Sequence, residues 1–292
     1  MELRHIRYFV RAAELLHFTH AAESLYISQP TLSTHIQQLE EEIGAPLFDR
    51  VGRNVRLTQA GCAFLIHALQ VSKELDIAKA EIAELSGLLT GSLRLAALPL
   101  FGQELLPTWL AGFHTQYPQI QILARAGSHQ QFQKELLAGD IDLALSFLST
   151  ESDGLDSLLL FSEPAIFIVS NEHPMASKVT VRLKDVCSVP LATVGKSSPA
   201  RKQFDHACVE KKLTPNIMVE MSDIRGILEI VKRGNAGTVL IPRVLKDHIG
   251  LKDIPIQDAQ MQIDFGVLWR SQGNLSPPAK AFLAYIKKNF GI

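Results

Sequence analysis

Residues 18–37 read FTHAAESLYISQPTLSTHIQ, and this stretch decides the N-terminal fold. A helix-turn-helix needs a short first helix, a tight turn, and a second helix whose first residues are polar and small enough to enter the major groove. Phe18-Thr19 interrupts the apolar periodicity before it. Thr19 can cap a short helix that turns Ala22 and Leu25 inward, and Leu25 to Ser28 supply the turn. Ser28 can cap the next helix with Pro30 in its first turn, where a missing N–H costs little. In that helix Leu32, Ile36, Leu39 and Ile43 share the inner face, and Gln29, Thr31, Ser33, Thr34, His35, Gln37 and Gln38 offer polar groups outward. Gln can bond adenine bidentately, and Thr can touch the thymine methyl. The competing reading of the spacing is a three-helix bundle with a polar face.

Outward from this core, Leu3, Ile6, Phe9, Val10, Ala13 and Leu16 recur at helical steps and predict a preceding amphipathic helix. Downstream, Leu47 to Leu57 alternates around Gly52 and resembles a two-stranded wing whose Arg50, Arg53 and Arg56 can reach phosphate or the minor groove. From Thr58 to about Leu89 no proline occurs, and apolar residues fall at 65, 68, 75, 78, 82, 85 and 89. At ~1.5 Å per residue such a helix is roughly 48 Å long. It cannot bury its stripe alone, so a partner helix from a second copy of the chain is expected.

Thr90-Gly91-Ser92 reads as a hinge, and the texture then changes to alternating strands and helices. Strands are predicted at 92–97, 120–126 and 142–147, with helices at 102–117 and 128–139 between them, a βαβαβ order that favours a parallel sheet. A second cycle runs from a strand at 161–170 through 191–194, a helix from 198 to about 211, a strand at 217–221, a helix at 223–233 and a strand at 238–241. A last strand at 265–269 and a helix at 276–290 close the chain. The fold class is therefore α/β overall: a winged helix-turn-helix over 1–57, a linker helix and hinge over 58–90, and a two-lobed α/β domain over 91–292. Lobe I would comprise about 91–162 and 266–292, and lobe II about 163–265.

Five motifs stand in the first 61 residues: F-T-x-A-A (18–22), S-Q-P-x-L-S (28–33), I-x-x-L-E (36–40), G-x-x-L-F-x-R (44–50) and L-T-x-A-G (57–61). With them the chain resembles the LysR-type transcriptional regulators. The segments SPARKQFDHAC (198–208) and ILEIVKRG (227–234) look similar to the cyanate-sensing branch of that family. The resemblance implies a DNA-binding regulator that dimerises through the linker helix, assembles as a tetramer on double-stranded promoter DNA, and binds a small effector between two lobes like those of periplasmic binding proteins. One departure matters. Many members carry Arg directly after the Ser of the L-S motif, where this chain has Thr34 followed by His35, so a different base preference or a weaker phosphate contact is expected.

Ligands of open α/β sheets sit beyond the carboxyl ends of strands, where helix N-termini present unpaired N–H groups. Ser128, Ser198 and Ser222 each follow a strand and open a helix, although simple N-capping accounts for such serines equally well. The resemblance places Leu98, Pro99, Phe101, Phe147, Lys196 and Ser197 around the same cleft. Helix dipoles together with Lys196 or Arg201 favour a small anion.

Competing classes lack their residues. No G-x-S-x-G, H-E-x-x-H or G-x-G-x-x-G occurs, so catalytic residues, metal ligands and a dinucleotide cofactor are not expected. Gly195-Lys196-Ser197 resembles the end of a phosphate-binding loop, but the glycine required five residues earlier is Pro190. The three cysteines, Cys62, Cys187 and Cys208, suit a reducing compartment. Some relatives sense peroxide through a cysteine pair; here Pro199 stands nine residues before Cys208, which reads instead as an apolar packer. The opening MELRH lacks the apolar run of a signal peptide, no run approaches ~20 apolar residues, and a cytoplasmic protein without membrane partners is expected. A soluble non-DNA ligand-binding protein remains the alternative.

The 292 residues carry 29 Lys+Arg against 30 Asp+Glu, which advertises no polyanion partner. Residues 1–57 hold six arginines, no lysine and seven acids. Glu40, Glu41 and Glu42 lie at the far end of the second helix, while Arg50, Arg53 and Arg56 cluster on the wing. The non-specific grip of one copy on DNA is then modest, and affinity must come from several copies acting together.

Overall fold

The computed structural model describes residues 1–51, 54–85, 89–103, 105–148, 153–245 and 248–290. The chain opens with helices α1 (Leu3–Leu15), α2 (Phe18–Ser24) and α3 (Gln29–Ile43), followed by an antiparallel pair, β1 (Phe48–Val51) and β2 (Asn54–Leu57), and a long helix α4 (Gln59–Leu85). The wing register pairs Phe48 with Leu57 and Asp49 with Arg56. Phe9, Ala12, Ala21, Leu32, Ile36, Leu39 and Leu47 are fully buried together, with Phe48 and Ala68 against them. Leu3 and Leu16, expected on the inner face of α1, are exposed, and His5 and Ala12 take their places.

Local chemistry explains each boundary. Ser28 Oγ accepts the Thr31 N–H at 3.3 Å, and Gly44 ends α3 in the left-handed region at φ 79°, which glycine adopts without steric cost. Thr19 is not the cap of α2. The helix begins one residue earlier, because His17 is extended and its Nδ1 accepts the His20 N–H, which leaves Phe18 buried in the first turn. At the wing, Glu40 Oε1 accepts both the Leu47 and Phe48 N–H groups, at 2.7 and 3.0 Å. Thr58 Oγ1 donates to the Pro46 carbonyl and accepts the Gly61 N–H, tying the start of α4 to the wing.

Helix α4 is described over 27 residues, about 40 Å at 1.5 Å per residue; residues 86–88 of the expected span lie outside the described residues, and Leu89 and Thr90 are not helical. The hinge residue Gly91, at φ 122°, already belongs to the next strand.

The remaining elements follow as β3 (Gly91–Ala97), α5 (Pro99–Gln103), α6 (Leu105–Gln116), β4 (Ile120–Ala126), α7 (His129–Ala138), β5 (Leu143–Phe147), β6 (Leu155–Pro164), β7 (Ile166–Ser170), α8 (Leu183–Cys187), β8 (Leu191–Val194), α9 (Pro199–Glu210), β9 (Ile217–Met221), α10 (Ile224–Arg233), β10 (Gly237–Leu240), a 3₁₀ turn (Pro242–Leu245), β11 (Leu251–Ile254), β12 (Gln262–Arg270) and α11 (Pro277–Phe290). One sheet has the order β4-β3-β5-β12-β6 and the other β11-β7-β10-β8-β9. The second sheet is mixed: β8 runs parallel to β9 and β10, while β7 is antiparallel to β10 and β11. Where one helix is expected over 102–117, the described residues form α5 from Pro99, a proline with no N–H to lose in a first turn, and α6, which ends at Gln116. The stretch 161–170 is two strands, β6 and β7, rather than one.

The chain divides into two compact units. Unit 1 holds Met1–Ala96, Leu106–Ala144 and Arg270–Gly291; unit 2 holds Ala97–Leu105 and Leu145–Trp269. Unit 1 packs α1 on α4 and α4 on α11. Unit 2 is built on the second sheet, whose core gathers Ile166, Ile168, Ala192, Ile227, Leu228, Val231 and Leu240.

Candidate DNA-binding and effector sites

The outer face of α3 is polar because its burial follows helical spacing: Leu32, Ile36 and Leu39 face inward with no exposed surface. Gln29, Pro30, Thr31, Thr34, Gln37 and Gln38 are exposed and Ser33 is half-buried. Several are already oriented by bonds along the helix. Gln29 Nε2 donates to Ser33 Oγ at 2.8 Å, Thr34 Oγ1 to the Pro30 carbonyl at 3.0 Å, and Gln37 Nε2 to Glu41 Oε1 at 3.0 Å. Such bonds hold the amides in defined rotamers, a precondition for reading base edges.

His35 departs from the expected exposed face. Its ring packs against His5 and Tyr8 of α1, at centroid distances of 5.2 and 5.3 Å, and its buried Nδ1 has no hydrogen-bond partner. It lies beside the apolar stripe of α3, not opposite it. Thr19 is exposed on the first turn of α2, and Arg56 is exposed on β2. The Arg50 side chain and all of Arg53 lie outside the described residues. One exposed group escaped the sequence reading: Tyr26, 96% exposed and at φ 56°, on the turn that leads into α3. Its rare backbone conformation gives no signal in composition or periodicity.

In unit 2 the predicted effector residues separate into two sets. Pro99, Lys196, Ser197 and Ser222 are exposed, and Ser198 and Phe147 are half-buried. Leu98 is buried with its N–H donating to the Leu145 carbonyl, and Phe101 has no exposed surface, its ring 5.9 Å from both Phe161 and Phe265. Phe101 is thus a core residue; one apolar side chain in a helical turn gives no sequence sign of which way it faces. Ser128 belongs to unit 1, where its Oγ accepts the Gln131 N–H as an ordinary cap. Ser222 does not open α10: Asp223 does, its carboxylate accepting the Arg225 and Gly226 N–H groups at 3.2 and 3.0 Å.

Arg201 differs most from expectation. Its side chain is only 6% exposed, with Nε on Asp205 Oδ1 at 2.7 Å and Nη1 on Thr193 Oγ1 at 2.6 Å, the Val194 carbonyl at 3.3 Å and Glu220 Oε2 at 3.1 Å. The guanidinium braces α9 against β8 and β9 and is not offered to a ligand. At the N-terminus of α9, by contrast, Ser198 makes no side-chain cap bond, and the N–H groups of the first turn lack intrahelical partners. With Lys196 exposed two residues before it, this terminus keeps the anion preference that Asp223 already occupies on α10.

Cys208 packs as expected, yet it has a neighbour that spacing could not reveal. Cys187 Sγ of α8 lies 3.6 Å from Cys208 Sγ, both buried and both free thiols. Burial, together with the hydrogen bond and charge of Cys187, pushes the Cys208 thiol up to about 12, and burial raises Cys187 as well. Among the described residues no group of three or more metal-ligating side chains occurs, and no helix is long and apolar enough to cross a membrane.

A winged helix-turn-helix with a polar outer face, joined by a long helix to paired α/β sheets, defines a ligand-responsive DNA-binding regulator. Residues 3–62 match the bacterial regulatory helix-turn-helix proteins of the lysR family, and residues 86–291 match the LysR substrate binding domain. The chain belongs to the LysR family of transcriptional regulators. It is 31% identical over 294 residues to the transcriptional dual regulator GltC of Bacillus subtilis, covering 99% of this chain and 98% of the relative. It is also 31% identical over 289 residues to the transcriptional activator CmpR of a Synechocystis species, covering 97% and 94%. Among solved structures, a full-length OxyR from Pseudomonas aeruginosa shares the fold at TM-score 0.77 and 23% identity, covering 100% of this chain and 95% of that one. The full-length CbnR solved with its target DNA shares it at 0.68 and 22%, covering 99% of each.

Proposed function

We propose that this regulator binds its own promoter region through α3 and the wing, as a dimer paired along α4 and further assembled to a tetramer, and answers to a small anion at the strand ends of unit 2. The observation that carries the DNA part is the outer face of α3, where Thr31, Thr34, Gln37 and Gln38 stand exposed. Arg50, Arg53 and Arg56 of the wing supply phosphate contacts. The solved CbnR–DNA complex, on the same fold, supports this reading.

The functional boundaries that go with it are 1–57 for DNA binding, 58–90 for the linker and 91–292 for effector binding. For the effector, Lys196, Ser197 and the open N-terminus of α9 are the receptor, with Pro99 and Phe147 in the same unit. Effector binding changes the spacing of the DNA-binding pairs and relaxes a bend in the operator; the protein acts in the cytoplasm and carries no catalytic activity. A thermal-shift panel of small anions, cyanate included, tests the effector part: an anion that stabilises the full-length protein must lose its effect in Lys196→Met and Ser198→Ala while promoter binding persists. Unchanged dose response in both variants removes this site.

A further inference from the structure

Helix α4 does more than present a dimer face. Halfway along it, Lys73 Nζ lies 2.7 Å from Asp142 Oδ1, a carboxylate only 6% exposed, and 3.4 Å from the Gly139 carbonyl at the end of α7. Asp142 is itself immobilised: its Oδ2 accepts the Arg94 N–H at 2.9 Å, and its own N–H donates to the Arg94 carbonyl at 2.9 Å. The lysine therefore meets a fixed buried anion and the negative end of a ten-residue helix at one point. Packing around it is thin. Ile77, 4% exposed, is the fully buried apolar residue of this stretch of α4. Cavities of about 40 and 440 Å³ flank the contact, and Lys73, Ile77, Asp142 and Ser276 line both.

We propose that Lys73 is a positioning residue: its ion pair with Asp142 latches the linker helix to the first α/β sheet and so fixes where unit 1 carries its helix-turn-helix. Two features favour a latch over a permanent weld. A carboxylate held by one backbone N–H and buried needs its cation, since removing one member of such a pair leaves an uncompensated charge. The cavities flank this contact, so loss of the charge pair loosens α4 locally against the sheet while its packing on α1 and α11 remains. The outward stripe of α4 is untouched by this contact, so latching and dimerisation use different faces of one helix.

Hydrogen exchange of the full-length protein, without DNA or effector, tests the latch. Lys73→Met and Asp142→Asn should each speed exchange of residues 66–79 and 139–145 by about tenfold or more, with the β7–β10 sheet unchanged and Lys73→Arg close to wild type. Asp142→Asn added to Lys73→Met should change little further, because the pair acts as one unit. Unchanged exchange in Lys73→Met, or additive effects in the double variant, would overturn the proposal; the latter applies even if a single variant is globally loosened. Promoter affinity should stay within about threefold in Lys73→Met, since no DNA-facing group changes. Failure of the wild type to bind promoter DNA would count against the DNA reading and leave the latch to be judged by exchange alone.

Discussion

At the scale of single residues, the motifs that identify the family turn out to be structural. Ala21, Ala22, Leu47 and Phe48 are buried, Glu40 anchors two wing N–H groups, and Gly61 faces the Leu47 carbonyl so closely that an added Cβ would sit 2.0 Å from it. Gly61→Ala should therefore cost ~1–3 kcal/mol through overpacking, and Glu40→Ala ~2 kcal/mol by stripping partly buried donors; circular-dichroism melts of the full chain read both. Of the candidate DNA-facing side chains, Thr19, Ser28, Gln29, Pro30, Ser33 and Arg50 are themselves motif residues, whereas Thr31, Thr34, Gln37 and Gln38 stand at positions the motifs leave open. His35 shows the cost of reading faces from polarity alone: a histidine among glutamines and threonines looks exposed, and only packing on His5 and Tyr8 reveals otherwise. The cysteines make a prediction of reactivity. Exposed Cys62 should be alkylated at neutral pH while Cys187 and Cys208 resist. Because the Cys208 value is raised in the folded chain, the stabilisation it confers is present below the ordinary value of 9.0 and is lost as pH rises toward about 12. Mass-spectrometric labelling against pH checks this, and rapid labelling of all three at pH 7 would contradict it.

Among elements, α4 decides most. Val71, Leu75, Ala78 and Ile82 recur at four- and three-residue steps, and Val71, Ala78 and Ile82 are exposed, Ile82 at 67%. Leu75, Ala78 and Ile82 belong to the stripe that periodicity predicts to need a partner; Val71 extends it, while the predicted Leu65 and Ala68 pack instead into the N-terminal core. Ile82→Asp should shift the protein to monomer in sedimentation velocity with its helix content intact; an unchanged dimer would place the interface elsewhere. Ile77 was absent from that stripe, because it faces the sheet on the other side of the helix, and only tertiary contact distinguishes the two faces. Most elements were legible: β4 and the short β8 and β9 have the predicted limits, and α3, α7, α9 and α10 agree within a residue or so. Two were not. The five-residue α8 spans less than two helical turns, and β11, LKDI, sets Lys252 and Asp253 side by side between its apolar ends, so neither period registers.

For the whole molecule, near-zero net charge and a DNA-binding role are reconciled by where the charges sit. A single copy offers few cations to phosphate, so affinity has to accumulate over paired copies and over base contacts on α3. That distribution makes the salt response moderate and the sequence response large. The candidate DNA-contacting residues belong to unit 1, and the open α9 terminus belongs to unit 2. The surroundings of the candidate effector residues were only partly legible in the sequence. Serines after strands marked helix starts correctly at 128 and 198, yet which of them faces a ligand depends on neighbours such as Asp223 and Arg201 that fill or leave open the adjacent groups. The most direct measurement of the central claim is a fluorescence-anisotropy titration of full-length protein on its own promoter fragment and on an unrelated fragment of equal length, over a range of salt. The account predicts tighter binding to the promoter, weakened by added salt, with Thr34→Ala and Gln37→Ala each reducing promoter affinity by ~1–3 kcal/mol while hardly changing the unrelated fragment. Equal affinity for both fragments, unaffected by either substitution, would contradict it.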